Sequence, residues 1–155
     1  MQVRPARPEE AAAAIRVLRR SITELCKPDH HNEPSALDEW LANKTEANFL
    51  GWLRDPETMV LLATSETGEV LGVGAYRTSG EITLNYVSPD ARGTGVSTAL
   101  LQHMEVALRL EGRTTITLTS TATARNFYLG RGYVDEGVRD CAGSDAACKM
   151  VKRLE

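Results

Sequence analysis

A glycine-rich loop lies between a strand-like segment and a helical segment near the middle of the chain. The strand-like run Ile82–Val87 stops at a turn containing Pro89, the loop Arg92–Gly95 follows, and helical spacing of apolar residues begins at Val96. Backbone N–H groups without intrahelical partners and the positive end of the helix dipole would therefore meet at one place. Such a place binds phosphate, so the sequence predicts a site for a phosphorylated cofactor.

This loop also allows three other readings. A P-loop needs a lysine followed by Ser or Thr after its last glycine, and no such pair follows Gly95. A Rossmann fingerprint needs glycine or alanine where Thr98 stands, and it belongs to an early βαβ unit. The loop alone leaves open a third reading, a tight turn that only joins the strand to the helix.

A second motif combines an amide, a phenol and a glycine turn within ten residues, Ala124–Tyr133. Asn126 and Tyr128 lie on a short predicted helix, which Gly130–Gly132 ends. The phenol of Tyr128 is neutral at pH 7 and so has a proton or a hydrogen bond to donate.

Two further groups of polar residues could carry acid–base chemistry. Glu81 opens the third long strand, and on a strand of period two it would share a face with Asn85 and Val87. The polar segment 27–34 contains His30, His31 and Glu33 beside Asp29, and such a cluster could bind or deprotonate an amine. Adjacent histidines do not face one another as i, i+4 pairs do, so we expect no metal site there.

Composition limits the possible partners. The chain has 155 residues, a formal net charge of −3 and 42% hydrophobic residues, which is typical of one soluble globular domain over residues 1–155. The net negative charge gives no electrostatic support for binding nucleic acid, so we expect no nucleic-acid partner. No apolar run could span a bilayer and no signal-peptide core opens the chain, so we expect a cytoplasmic protein without a membrane partner.

The three cysteines do not predict a disulfide framework. The number of cysteines is odd, and no secretion signal accompanies Cys26, Cys141 and Cys148. Their spacing does not form a CxxC motif. We therefore expect them to be free thiols.

The order of predicted elements indicates a mixed α/β fold. A first strand at Val3–Ala6 precedes helices at Pro8–Leu25 and from Ser35 to Leu53; strands then follow at Thr58–Thr64, Val70–Thr78 and Glu81–Val87. The second half contains a helix over Val96–Leu110, a strand over Thr114–Thr119, a short helix over Ala124–Leu129, and closing strands over Tyr133–Val138 and Ala146–Leu154 around the loop Asp140–Asp145. The front half forms a meander, not the strict alternation of a doubly wound fold.

Together the two motifs resemble those of the GNAT superfamily of acetyl-CoA-dependent N-acetyltransferases. Arg92, Gly95 and Ser97 are spaced like that family's pyrophosphate signature, with serine where the family has glycine or alanine. Ala124–Tyr133 resembles the family's asparagine–tyrosine helix and the glycine–aromatic turn after it. The resemblance covers about residues 58 to 138. It implies a central, largely antiparallel sheet of about six to seven strands, flanked by about four helices.

The resemblance also implies how acetyl-CoA, the cosubstrate, would bind. The end of the strand before the loop would pair with the pantetheine arm and polarise the acetyl oxygen, the loop would receive the pyrophosphate, and an amide on the short helix would hold the arm. The cofactor-binding residues are then Tyr86, Val87, Arg92, Gly93, Thr94, Gly95, Val96, Ser97 and Asn126.

For the reaction, the resemblance implies that Tyr128 assists the leaving thiolate and that Glu81 is a candidate base for the amine. His30, His31, Glu33 and Asn85 are the candidate substrate-binding residues. The expected activity is transfer of acetyl to an amine of a small molecule or a protein, by direct attack in a ternary complex. A non-catalytic acyl-CoA sensor is the alternative, and a homodimer is possible in such a family.

Overall fold

One mixed sheet of seven strands organises the computed structural model, which describes residues 1–136 and 147–154. The strands are β1 (Gln2–Pro5), β2 (Thr58–Thr64), β3 (Val70–Arg77), β4 (Glu81–Val87), β5 (Thr115–Ser120), β6 (Val134–Asp135) and β7 (Cys148–Arg153). Their order across the sheet is β1-β2-β3-β4-β5-β7-β6. Only β4 and β5 are parallel among these neighbours, so the predicted fold class and the largely antiparallel sheet are confirmed.

Six α-helices are present in the described residues. They are α1 (Ala11–Leu25), α2 (Lys27–His30), α3 (Pro34–Leu41), α4 (Glu46–Arg54), α5 (Val96–Leu110) and α6 (Arg125–Leu129). The segment before α3, expected to be a polar break, instead contains the single turn α2, since Pro28 and Asp29 suit the start of a helix. A short 3₁₀ turn over Pro8–Glu10 leads into α1.

The two faces of the sheet are covered by different helices, and each encloses its own apolar core. On one face, α5 buries Val96, Leu100 and Met104 against the middle strands. On the other face, α1 and α4 bury residues such as Leu18 and Phe49. The sheet is therefore the middle layer of three. A site can form between the two helix layers, at the polar ends of the central strands.

A β-bulge at Thr83 divides β4 into two parts. Ile82 pairs with Tyr76, but the next paired residue is Leu84, opposite Ala75. One extra residue reverses the alternation of side chains beyond it. Ile82 therefore shares the α5 face with Asn85, whose amide reaches the first turn of α5. The expectation that Glu81 shares a face with Asn85 and Val87 is wrong for this reason.

Cys148 is disulfide-bonded, so the expectation of a free thiol is wrong for this residue, whereas Cys26 is free and buried. The predicted loop Asp140–Asp145, with Cys141, lies outside the described residues.

Nowhere in residues 1–136 and 147–154 is there a helix long and apolar enough to cross a membrane. The same residues contain no group of three or more His, Cys, Asp or Glu side chains placed to hold a metal ion.

Candidate active site

A cleft opens where β4 and β5 part. The two strands pair only through Glu81 with Thr117 and Ile82 with Leu118. Beyond these pairs the β5 side of β4 has no strand partner among the described residues, so its backbone polar groups are available to a ligand. The cleft has a volume of about 280 Å³. Its walls include six predicted site residues, Asn85, Tyr86, Val87, Arg92, Ser97 and Tyr128.

The glycine loop forms one end of this site. Gly93 and Gly95 adopt left-handed backbone angles, with φ of 79° and 89°, which L side chains rarely adopt. This path directs the loop into α5, whose first three N–H groups, on Val96, Ser97 and Thr98, have no helical acceptor. Together with the N–H groups of Gly93 and Gly95, they donate to no backbone acceptor in the described part of the chain. The arrangement can receive an anion.

Three arginines surround the loop, and they have different roles. Arg92, the predicted phosphate ligand, is exposed and lines the cleft. Arg131 donates from Nη2 to Thr98 Oγ1 at 2.9 Å, which brings a second guanidinium to the first turn of α5. Arg20 of α1 holds Asp90, just before the loop, through two bonds of 2.8 and 3.2 Å. Arg131 was not predicted, because Gly130-Arg131-Gly132 indicates only a helix end.

Tyr128 reaches the cleft from α6 and is only 6% exposed. Its ring packs edge-on against Phe127 and Tyr133, with centroids 5.2 and 5.4 Å away. Burial raises the pKa of its hydroxyl to about 12, although the neighbouring Asn85 amide opposes part of this rise. The phenol therefore keeps its proton throughout the neutral range.

Asn85 faces Tyr128 across the cleft from β4. Its Nδ2 donates to the carbonyl of Ser97 at 3.3 Å, which ties the strand to the start of α5. Its Oδ1 is buried and accepts no hydrogen bond from any residue of the described ranges. A buried acceptor without a donor is costly, so Oδ1 is available to a ligand's N–H group.

Cys26 is a cleft residue that the sequence did not predict. It follows α1, is 5% exposed and lines the cleft beside Tyr86. Burial, with a smaller effect from Asp29, raises the pKa of its thiol to about 12. Burial likewise raises the pKa of the Tyr86 hydroxyl. Neither group ionises near neutral pH.

The structure places the other predicted residues outside the cleft walls. Glu81 is exposed where β4 begins, and Asn126 is exposed on α6. His31 and Glu33 are exposed on the segment between α2 and α3. His30 is 2% exposed: its Nδ1 accepts from the N–H of Asn32, and its Nε2 lies 2.9 Å from the Ile22 carbonyl. Both nitrogens of His30 are thus used inside the protein.

A second cavity, of about 330 Å³, adjoins the cleft. It shares Tyr86 and Thr121 with the cleft and adds Asp29 and Trp40 from the α2–α3 region. A carboxylate and two aromatic rings attract an ammonium group. Asp29 also accepts from the N–H groups of Ala122 and Thr123, at 2.6 and 3.1 Å, which fixes α2 beside the entry to α6.

Solved structures share this architecture. A GCN5-related N-acetyltransferase from Rhodopseudomonas palustris is 27% identical, with a TM-score of 0.84 over 99% of this chain and 95% of that one. The PaiA N-acetyltransferase from Thermoplasma acidophilum, in complex with coenzyme A, is 17% identical, with a TM-score of 0.82 over 99% and 98%. A Corynebacterium glutamicum protein, described as a histone acetyltransferase and related acetyltransferase, is 23% identical, with a TM-score of 0.68 over 97% and 94%. The last two show the fold alone.

Sequence comparison identifies the family. A search of the curated proteins found no match. The family described as "Acetyltransferase (GNAT) domain" matches residues 28–154, which include the glycine loop, α6 and most of the cleft wall. The predicted resemblance is confirmed: the chain belongs to the GNAT acetyltransferase family.

Proposed function

We propose that this protein is an N-acetyltransferase that uses acetyl-CoA and transfers the acetyl group directly to an amine. The observation that carries the proposal is one continuous cleft, which runs from the anion-binding loop at Arg92 and Ser97 to the buried phenol of Tyr128. A coenzyme A thioester needs an anion-binding site for its phosphates at one end and a hydrogen-bond donor for its reacting group at the other.

The residues present fit coenzyme A at three points. The free N–H groups of Gly93 and of residues 95–98 suit a diphosphate, with Arg92 and Arg131 as charged neighbours. The unpaired β5 side of β4 suits an extended arm that pairs with the strand. Asn85 Oδ1, a buried acceptor without a donor, suits an amide N–H of that arm. Acetyl-CoA would supply the activated acetyl thioester.

Tyr128 is proposed to stabilise the leaving sulfur through a hydrogen bond. A phenol with a pKa of about 12 is a weaker acid than a thiol, whose ordinary pKa is about 8.5. Full proton transfer to a thiolate is therefore uphill, whereas donation of a hydrogen bond in a buried site is favourable. Of the two roles that the sequence left open for Tyr128, its burial favours the second.

Direct attack is favoured over a covalent intermediate on the enzyme. Cys26 is the cysteine that lines the cleft, but with a pKa of about 12 only about one thiol in 10⁵ is ionised at pH 7. An acyl-cysteine route would need that thiolate. The acetyl group is therefore proposed to pass straight to the amine.

The amine is proposed to enter through the cavity beside Trp40 and Tyr86, where Asp29 supplies a negative charge. We do not propose Glu81 as the base, because it lies on the other side of the Thr83 bulge and is not a cleft wall. This same observation favours the second candidate function, an acyl-CoA sensor that binds without turnover.

Two measurements separate these functions. Calorimetry with acetyl-CoA and CoA tests the cleft, and release of free thiol is followed with polyamines, amino acids, aminoglycosides and lysine peptides. Binding with thiol release that depends on an amine supports the transferase. Binding with no release for any amine class supports the sensor. No binding of either cofactor would overturn both proposals.

A further inference from the structure

A buried lysine, Lys44, faces a further cavity on the α4 side of β4, separate from the cavity at Asp29. Lys44 follows α3 and is only 8% exposed, and its ammonium donates to Asn43 Oδ1 at 2.6 Å. The cavity has a volume of about 230 Å³ and is lined by Lys44, Trp52, Arg77 and the bulge residue Thr83, among others. No step of the proposed transfer uses this lysine.

Among the residues that the structure describes, the Lys44 ammonium has no counter-ion. No carboxylate lies within ion-pair distance of it in the ranges that the structure describes. One of its three N–H donors is used by Asn43, so two remain. Burial lowers the pKa of Lys44, as expected for a cation removed from water without a partner. A buried charge of this kind is costly unless something compensates it.

The remaining charge on the cavity wall is also positive. Arg77 lines the cavity, while the carboxylates of Asp55 and Glu57 that pair with it, at 3.4 and 3.1 Å, are not among the lining residues. Among the described residues, no Asp or Glu lines this cavity. Because Arg77 is already paired, the uncompensated charge that a ligand meets there is that of Lys44, which favours a neutral or anionic group.

The backbone around Lys44 is held firmly. Arg19 of α1 donates to the carbonyls of Leu41 and Lys44 at 3.0 and 3.1 Å. Asn48 of α4 donates from its side chain to the carbonyl of Asn43 at 2.9 Å. Two helices, α1 and α4, thus fix the turn that presents the ammonium, as a binding site requires.

The Lys44 cavity shares wall residues with the opening beside the proposed site of transfer. Thr83 and Leu84 line both this cavity and the opening between β4 and β5. Lys44 also borders an open groove walled by Trp40, and Trp40 walls the cavity at Asp29. A short molecule can therefore place one end at Lys44 and the other near the cleft.

We propose that Lys44 binds the carboxylate of the acetyl acceptor, so that the acceptor is a small amine that carries a carboxylate. Two free N–H donors match the two oxygens of a carboxylate, and the ammonium end of the acceptor lies toward Asp29 and Trp40. This inference rests on the proposed function, because it names the substrate class of the same site.

The test compares each amino acid with its own amide. Glycine, β-alanine and γ-aminobutyrate are assayed against glycinamide, β-alaninamide and γ-aminobutyramide, with 2-aminoethyl phosphate as the phosphate probe. We expect at least one acid to have a KM about tenfold or more below that of its amide, as a charge-assisted contact provides. Lys44→Met should bring the ratio of the KM of the amide to the KM of the acid close to one. It should leave the KM for acetyl-CoA unchanged. Lys149→Met, an exposed lysine on β7, is the matched control and should keep the ratio.

Each outcome has a separate meaning. Equal use of acid and amide by the wild type, or a ratio that survives Lys44→Met, overturns this inference and leaves the proposed function standing. A clear preference for 2-aminoethyl phosphate over every carboxylate also overturns it. Absence of thiol release with every amine overturns the proposed function instead. Calorimetry on the CoA-bound protein, with the acid that has the lowest KM, gives a second readout: binding that Lys44→Met abolishes supports the site, and no binding contradicts it.

Discussion

Asp29 and Thr123 are joined across 94 residues of sequence: one carboxylate oxygen of Asp29 accepts from both the N–H and the hydroxyl of Thr123. The other oxygen accepts from the N–H of Ala122 at 2.6 Å. This contact ties α2, at the proposed amine entrance, to the segment that leads into α6. The position of Tyr128 therefore depends on a residue far from it in the sequence.

Asp29→Ala should destabilise the fold. It leaves two partly buried N–H groups without an acceptor, which costs about 2 to 3 kcal/mol in the free energy of unfolding. Urea unfolding measures the change. Glu33→Ala, an exposed neighbour on the same segment, is the control and should change stability by less than about 0.5 kcal/mol. Equal stability of Asp29→Ala and wild type would show that this contact does not hold α6.

Tyr128→Phe should lower kcat by about 10- to 100-fold and leave the KM for acetyl-CoA within about twofold, because a hydrogen bond to the departing sulfur strengthens only as charge develops. Steady-state kinetics on the best amine of the panel measure both quantities. Tyr133→Phe removes a hydroxyl that donates to Glu105 at 2.7 Å outside the cleft, and it should affect stability more than kcat. A Tyr128→Phe enzyme as fast as wild type contradicts the assignment.

Cys26→Ala should retain the ability to transfer acetyl, because a thiol with a pKa of about 12 is not a nucleophile at neutral pH. Alkylation of native Cys26 by iodoacetamide should be slow at pH 7.5 and should become fast after unfolding in urea. Mass spectrometry of the labelled peptide measures both rates. A stable acetyl group on Cys26 after incubation with acetyl-CoA alone would instead indicate a covalent route.

Gly72→Ala should loosen the contact between the sheet and α5. A Cβ at Gly72 would lie 2.6 Å from Val96 Cγ1 and 3.0 Å from both Leu100 Cδ1 and the Tyr86 carbonyl oxygen. The first turn of α5 must then shift, at a cost of about 1 to 3 kcal/mol and with weaker CoA binding. Gly51→Ala, on α4 with nothing within 4 Å, is the matched control and should stabilise by about 0.5 to 1 kcal/mol. Urea unfolding and CoA calorimetry compare the pair.

Stability should fall in alkaline solution. Cys26 releases its proton near pH 9 when unfolded but near pH 12 when folded, and Tyr128 does so near pH 10 and pH 12. The unfolded state therefore binds fewer protons than the folded state above about pH 9. Between its unfolded and its folded pKa, each group lowers the free energy of unfolding by up to about 1.4 kcal/mol per pH unit. Urea unfolding from about pH 8 to 11 measures this slope. Cys26→Ser should flatten the part that begins near pH 9, and an unchanged slope there would contradict the burial argument.

Local signals were enough to predict most elements and the cofactor end of the site. The bounds predicted for β2, β4 and α5 agree with the structure, because apolar periodicity and glycine or proline turns act over a few residues. The loop from Arg92 to Ser97 and the helix with Tyr128 were predicted for the same reason: each is a short motif whose backbone geometry follows from its own residue types.

The acceptor end was decided by the tertiary structure. The bulge at Thr83 moved Glu81 away from the face of Asn85, and strand periodicity alone cannot predict an extra residue in one strand. Burial of His30, and of Cys26 in the cleft wall, depends on how α1 and α2 pack against β4.

The amino-acid sequence by itself therefore determined the segment that we propose for the cofactor, since backbone amides and a helix start are local properties. The tertiary structure alone decided which charges lie at the proposed acceptor end. Asp29 meets Thr123, and Lys44 faces a cavity without a carboxylate, because segments distant in sequence pack together there. Burial and charge pairing are properties of that packing.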